Sequence, residues 1–256
     1  MSAEERPEKD WYESWFDSPY YHILYKDRDE DEAAFFVDQL ANRLKARKGD
    51  RILDLACGKG RHAVQLHRKG FDVTGVDLSQ NSIEQAKAHE APGLRFDVHD
   101  MRHVYDREEK FDKVLNLFSS FGYFRSEGEN YRVIKAASEQ LNPGGELVID
   151  FMNAQKAVQE LVPHEVKTVE GIEFHIDRYV EYGILVKRIA FYDEGKGHEF
   201  KEKLRILFDN DLQVMLERAG MKVIDRFGDY ALEPFDRRSS ERLIIVARKE
   251  QDQLAS

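Results

Sequence analysis

Three observations predict an α/β fold in which helices cover both faces of a mostly parallel sheet. From Arg51 onward, short apolar runs alternate with segments of helical period, the pattern of successive βαβ units. The runs are apolar throughout, as expected of strands buried on both faces. Between about 165 and 208 the period changes to strict alternation in "IEFHIDRYVEY", "ILVKRIAFY" and "HEFKEKLRILF", which predicts an antiparallel sheet inserted into that core.

The core elements follow in order. Strands are expected at about 51–55, 71–76, 93–98, 111–117 and 144–151. The first helix starts after Gly60, carries Ala63, Val64 and Leu66, and stops at Gly70. Ser79 caps the second, with Ile83 and Ala86 facing inward. Ser126 opens a third, Glu129 completes its capping box, and the "NPGG" of 142–145 breaks it. After the insertion, Asp209 is expected to cap a helix through Leu212, Leu216 and Ala219 that Gly220 ends. "MKVIDRFGDY" and "ERLIIVARK" supply two final strands. The aromatic start "DWYESWFDSPYYHILY" leads into an acidic helix with Phe35, Phe36, Leu40 and Leu44 on one side. The run "KDRDEDE" reads as that helix's solvated beginning. The expected division is 1–48 as an N-terminal helical cap, 49–162 as the ligand-binding core, 163–208 as the inserted sheet over the substrate mouth, 209–250 as the closing helix and strands, and 251–256 as a tail.

Composition narrows the function. A chain of 256 residues can bury a sizeable core. A formal charge of −10 disfavours an extended nucleic-acid partner, although a local basic patch stays open. Met1 to Asp10 is polar and acidic, unlike a signal peptide, and no apolar run approaches the ~20 residues of a membrane span. A cytoplasmic protein is expected. The one cysteine, Cys57, allows no internal disulfide and no thiolate metal cluster by itself.

The chemistry gathers at "ILDLACGKGRHAVQL", residues 52–66. Gly58 and Gly60 form a turn at the end of the first strand, and Gly58 to Ala63 fits a dinucleotide fingerprint. Asp77, at the tip of the second strand about twenty residues on, is placed to accept both hydroxyls of a ribose. Asp100 and Met101 in "DVHDM" stand at the next loop of the same edge, where a polar side chain can bond the amino group of a base. An adenosine fits across these loops. Asp54 then discriminates between adenosine ligands. A pyrophosphate docked on the helix N-terminus would be repelled by it, whereas S-adenosylmethionine has no phosphate and carries an ammonium and a sulfonium that favour a carboxylate.

Here the chain resembles the class I S-adenosylmethionine-dependent methyltransferases over most of residues 50 to 250. "LDLACGKGRHA" is similar to their first motif, "VTGVDLS" to the ribose-binding second, "DVHDM" to the adenine-binding third, and "FDKVLNLFSSFGYF" to the segment that flanks the methyl group. One departure is Ala56, where the family often has glycine. The resemblance implies a Rossmann-like sheet of seven strands, the last antiparallel, and product S-adenosylhomocysteine. It implies that Asp54 and the backbone of Ala56, Cys57 and Gly58 hold the methionine end, with Gly60 allowing close approach. Asp77 would take the ribose and Leu78 would pack on the adenine. Asp100 and Met101 would frame its edge, and Asn116 and Leu117 would lie beside the sulfonium.

Methyl transfer asks mainly for alignment and exclusion of water. A base is needed only for a protonated acceptor, and His22, Tyr21 and Tyr123 are the candidates. "NLFSSFGY" lacks the Asn/Asp-Pro-Pro-Tyr pattern of enzymes that methylate nucleic-acid bases or glutamine. It is similar to members acting on small molecules, including amino sugars and glycine-like amines, so a small acceptor is expected.

Plainer readings stand beside these. Cys57 reads as a small residue in a crowded turn. The aromatics Trp11, Tyr12, Trp15, Phe16, Tyr20 and Tyr21 either staple the N-terminus or form an active-site lid. Arg178 and Arg188 read as a solvated face before a substrate contact. Asp150 could ligate a metal in a catechol-type enzyme, but no acid pair accompanies it and no metal is expected. The competing functions are a nicotinamide-dependent oxidoreductase and a non-catalytic adenosine-binding regulator. Acceptor, methylated atom and oligomeric state stay open.

Overall fold

The computed structural model describes residues 11–26, 30–106, 108 and 110–250. Among them the core strands are β1 (Arg51–Leu55), β2 (Asp72–Asp77), β3 (Leu94–Val98), β4 (Phe111–Asn116) and β5 (Leu141–Met152). They share one sheet with β10 (Met221–Phe227) and β11 (Arg242–Lys249), in the order β10-β11-β5-β4-β1-β2-β3. β1 to β5 run parallel, and β11 pairs antiparallel with both β5 and β10. This is the seven-stranded sheet with an antiparallel last strand that the resemblance implied.

Both faces are apolar because successive side chains of each strand point to opposite sides. Leu53, Leu147, Ile245 and Ala247 meet Val133, Ile134 and Ala137 of α6 (Glu127–Gln140) and Leu212 and Leu216 of α8 (Asp209–Arg218). Ile52, Val148, Ile244 and Val246 meet α3 (Glu30–Arg43), α4 (Arg61–Arg68) and α5 (Gln80–Ala86) on the other face. Each such aliphatic side chain contributes about 1.5–3 kcal/mol relative to exposure.

Several boundaries shift for physical reasons. α6 stops at Gln140, and Leu141 already pairs with Phe111, so the strand begins before the "NPGG" breaker. The cap of α8 is Phe208, whose N–H donates to the Asp211 carboxylate at 2.8 Å; Asp209 is the first helical residue instead. In α3 the buried stripe is Ala33, Phe36, Val37 and Leu40, while Phe35 is exposed, being about 100° around the helix from Phe36. Asp27 to Asp29 of the acidic run, residues 1–10 and the tail 251–256 lie outside the described residues.

The insertion has four strands where three were read: β6 (His164–Val169), β7 (Ile172–Glu181), β8 (Ile184–Asp193) and β9 (Lys196–Arg205). β6 is short, and its apolar residues Val166 and Val169 stand three apart, which breaks the alternation. The first two helices, α1 (Trp11–Phe16) and α2 (Pro19–Leu24), pack on this sheet. Trp15 is fully buried with Phe174, Ile176 and Ile189, and its Nε1 donates to Glu202 at 2.7 Å. Tyr25 donates to the same Glu202 oxygen at 2.7 Å, and Tyr20 to Asp193 at 2.9 Å. The N-terminal aromatics and the inserted sheet therefore form one packed unit, while α3 belongs with α4. The helix α7 (Ala154–Gln159) links β5 to the insertion.

Candidate functional site

The strand order reverses between β1 and β4, and in open α/β sheets the crevice outside the carboxyl ends at such a point is where ligands bind. A cavity of about 510 Å³ opens there, lined by the turn after β1, the tips of β2, β3 and β4, and residues of the first two helices.

The turn is built by backbone conformations that side chains resist. Ala56, Gly58 and Gly60 have φ of 57°, 56° and 83°. The left-handed region costs a non-glycine residue about 1–2 kcal/mol, which explains why Ala56 departs from a glycine pattern at some expense. A Cβ on Gly58 would meet nothing within 4 Å, so this glycine presents bare backbone to the cavity. A Cβ on Gly60 would sit 2.6 Å from the Phe96 ring. Its small size serves the packing of α4 against β3, in addition to any ligand approach.

Asp54 is 1% exposed, and its Oδ2 accepts no hydrogen bond among the described residues. Burial, then the charge of Asp77, pushes its carboxyl up to about 7, against the pull of Arg61. An unpartnered buried carboxylate is costly, and it fits a cationic ligand group. Asp77 ties the neighbouring loops together: its Oδ2 accepts from Gly58 N–H and its Oδ1 from Ser79 N–H, both at 2.8 Å. Burial raises the Asp77 carboxyl, and those N–H groups partly offset the rise. Leu78, Met101 and Leu117 line the cavity. Cys57 also lines it, with a thiol that burial and the two acids hold well above its ordinary range, which removes it as a thiolate.

Two of the expected site residues are held by partners within the chain. Asp100 lines the cavity, but both its oxygens are gripped by Arg102, at 2.6 Å from Nη2, and Arg102 reaches on to Glu129 at 3.0 Å. Burial alone would raise the Asp100 carboxyl; Arg102 outweighs it and holds it low. Asn116 does not line the cavity. It is buried beneath the floor, where its Nδ2 donates to the Leu55 carbonyl at 3.1 Å and its Oδ1 has no partner among the described residues.

Tyr21, His22 and Tyr123 are all brought to the cavity wall, together with Tyr12, Phe16, Phe118 and Phe124. Tyr123 meets Trp11 and Phe16 at ring distances of 5.3 and 5.2 Å. The aromatic start thus staples through Trp15 and walls the site through Phe16 and Tyr21.

The residues that sequence reasoning missed surround the turn after β4. Phe118 and Ser119 both have positive φ, 65° and 59°, a strain of about 1–3 kcal/mol each that neighbours must hold. Asp150 holds it: its carboxylate accepts from Phe118 N–H at 2.8 Å and its carbonyl from Ser119 N–H at 3.0 Å. Arg242 donates to Asp150 at 2.8 and 2.6 Å and to Ser119 Oγ at 2.8 Å. Tyr230 donates to Asp150 at 3.3 Å and stacks on Phe118, and Arg61 lies 4.4 Å from that ring. The buried acid read as a conceivable metal ligand is a clamp on the cavity wall. Its position at the end of β5 was the signal; its partner is 92 residues away. Arg178 pairs with Glu165 at 2.6 Å, and Arg188 lies in a surface ladder with Asp177 and Glu199, as a solvated face requires.

Residues 52–145 match a family model described as a methyltransferase domain. The chain is 32% identical over 255 residues to a protein of Geobacillus sp. (strain WCH70) named as a methyltransferase, covering 93% of this chain and 99% of that protein. It is 27% identical to a glycine/sarcosine N-methyltransferase of Aphanothece halophytica, over 89% of this chain and 85% of that one. The chain spans about half the length of other curated relatives it matches, 46%, 40% and 54%. The fold is also that of an S-adenosylmethionine-dependent methyltransferase from Clostridium acetobutylicum ATCC 824, with a TM-score of 0.76, 22% identity, and coverage of 90% of this chain and 96% of that one. The seven-stranded sheet, the glycine turn between Asp54 and Asp77, and these likenesses together place the chain in the family of class I S-adenosylmethionine-dependent methyltransferases.

Proposed function

We propose that the protein transfers a methyl group from S-adenosylmethionine to nitrogen or oxygen of a small molecule. The observation that carries this reading is the Asp54 carboxylate, buried at the reversal point with one oxygen unpartnered. A cationic ammonium beside it relieves that desolvation, and a pyrophosphate would worsen it.

In this reading Asp54 and the backbone of Ala56, Cys57 and Gly58 hold the methionine end. Asp77, already aimed by two N–H groups, uses its remaining lone pairs for the ribose hydroxyls, and Leu78 packs on the adenine. Asp100 and Met101 frame the adenine edge, the former fixed by Arg102. Leu117 and the clamped Phe118 wall the methyl end, with Asn116 supporting them from below. The bound cofactor supplies a sulfonium-activated methyl group. The chain then has to align the acceptor and keep water out, which the aromatic wall of Tyr12, Phe16, Tyr21 and Tyr123 suits. Tyr21, His22 or Tyr123 would take the proton of an acceptor that arrives protonated.

A small acceptor is supported by the name of the Aphanothece relative, a glycine/sarcosine N-methyltransferase, and by the aromatic wall. A cytoplasmic setting is part of the same reading. Titration calorimetry with S-adenosylhomocysteine and with NAD tests the assignment. Saturable binding of the former alone is expected; binding of NAD alone would overturn it.

A further inference from the structure

A second cavity, of about 700 Å³, shares Tyr123 and Phe124 with the first. It lies between α1, the edge strand β9 and the segment that follows the β4 turn, and Trp11 of α1 lines it. Its charge is opposite to that of the chain. Arg125, Lys201, Lys203 and Arg205 line it, against a formal total of −10 for the protein. The acid that lines it among the described residues, Glu199, is neutralised by Arg188 at 2.7 Å and Lys201 at 3.6 Å. Among the described residues no carboxylate pairs with Lys203 or Arg205; the Arg205 guanidinium donates through Nη2 to the Arg125 carbonyl at 2.8 Å, and its buried Nε has no hydrogen-bond partner.

The spacing says what kind of anion fits. Lys201, Lys203 and Arg205 alternate along one strand, so they stand on the same side at steps of roughly 7 Å. One carboxylate can meet one of them, or at most two through long side chains. An extended polyanion meets all three, and a guanidinium suits phosphate oxygens in paired contacts.

We propose that this cavity is a subsite for a polyanionic, diphosphate-like arm of the methyl acceptor, whose reactive end passes Tyr123 into the first cavity. The idea rests on the methyl-transfer reading for its link to catalysis, but the anion site itself does not. Asp54 and Asp77 disfavour phosphate at the strand tips of the first cavity, whereas the basic wall at β9 attracts it. Tyr123 and Phe124, which line both cavities, stand at the junction between them.

The test is calorimetric titration of inorganic pyrophosphate into the full-length protein saturated with S-adenosylhomocysteine, with acetate at equal ionic strength as comparison. Saturable pyrophosphate binding is expected. Lys203→Glu and Arg205→Gln should each weaken it tenfold or more, while S-adenosylhomocysteine affinity and melting temperature stay unchanged and Lys135→Glu, on the exposed side of α6, has no effect. Lack of saturable pyrophosphate binding, equal binding of acetate, survival of binding in both β9 variants, or an equal loss in Lys135→Glu would each overturn the proposal. If the wild type fails to bind S-adenosylhomocysteine, the methyl-transfer reading falls, and pyrophosphate titration of the unliganded protein still decides the anion site.

Discussion

The two halves of the cavity wall are made in different ways. The half at the tips of adjacent parallel strands is built from short stretches, where Asp54, Gly58 and Asp77 lie within 24 residues of one another. The half formed by the N-terminal aromatics and the β4 turn is held from behind by partners far apart in the chain: Trp15 and Tyr25 meet Glu202, and Asp150 meets Arg242. Chemistry concentrated at strand tips is readable as a local pattern. Chemistry made by distant pairs becomes visible only when the chain has folded.

That contrast can be broken where the halves join. Arg242→Met leaves Asp150 charged, buried and without its ion-pair partner, a loss of about 3–5 kcal/mol by the usual cost of orphaning a buried charge. For a chain of this size that corresponds to a fall in melting temperature of roughly 6–20 °C in scanning calorimetry. A variant that melts like the wild type would show that the Phe118-Ser119 turn needs no clamp.

The next largest effects should separate by half. Asp77→Ala removes an acceptor for ligand hydroxyls, and S-adenosylhomocysteine binding should weaken by about 1–3 kcal/mol. Because Asp77 also holds Gly58 N–H and Ser79 N–H, Asp77→Asn should recover part of the loss. On the acceptor side, Glu202→Ala strands the buried Trp15 N–H and should destabilise the protein by about 1–3 kcal/mol, with cofactor affinity unchanged in the folded variant. A matching loss of cofactor affinity would mean the halves are not separable.

The smallest effect is the most local. Ala56→Gly removes left-handed strain at φ 57°, and it should be neutral or stabilising by up to about 1 kcal/mol in denaturant unfolding, since the added freedom of the unfolded chain offsets part of the relief. Clear destabilisation would show that the Ala56 methyl makes contacts worth more than the strain.

The same contrast explains what could be read beforehand. The β1 to β5 alternation, the insertion and the Asp54-Gly58-Asp77 pattern were legible because periodicity and strand-end position are local properties. The burial of Asn116 was not legible, because its strand-end position says nothing of the bond that its amide makes to Leu55 in the next strand. Asp150 looked like an isolated acid because Arg242 lies on the last strand. β6 escaped because its apolar residues, Val166 and Val169, stand three apart and give no two-residue period.

Asp54 carries the central claim, and its titration tests it. Because its folded value is raised to about 7, the unliganded protein holds a proton there that the unfolded chain releases near pH 4. This group's contribution to stability therefore falls as pH rises between those values. A ligand ammonium requires the ionised form, so binding should strengthen with pH over the same region. The direct measurement is calorimetry of S-adenosylhomocysteine with wild type and Asp54→Asn at pH 6 and pH 8. We expect the wild type to bind about tenfold more tightly at pH 8 than at pH 6, with release of a proton on binding at pH 6 and little release at pH 8, and the variant to bind weakly with little pH dependence. Equal affinity at both pH values, with Asp54→Asn indistinguishable from wild type, would contradict the account.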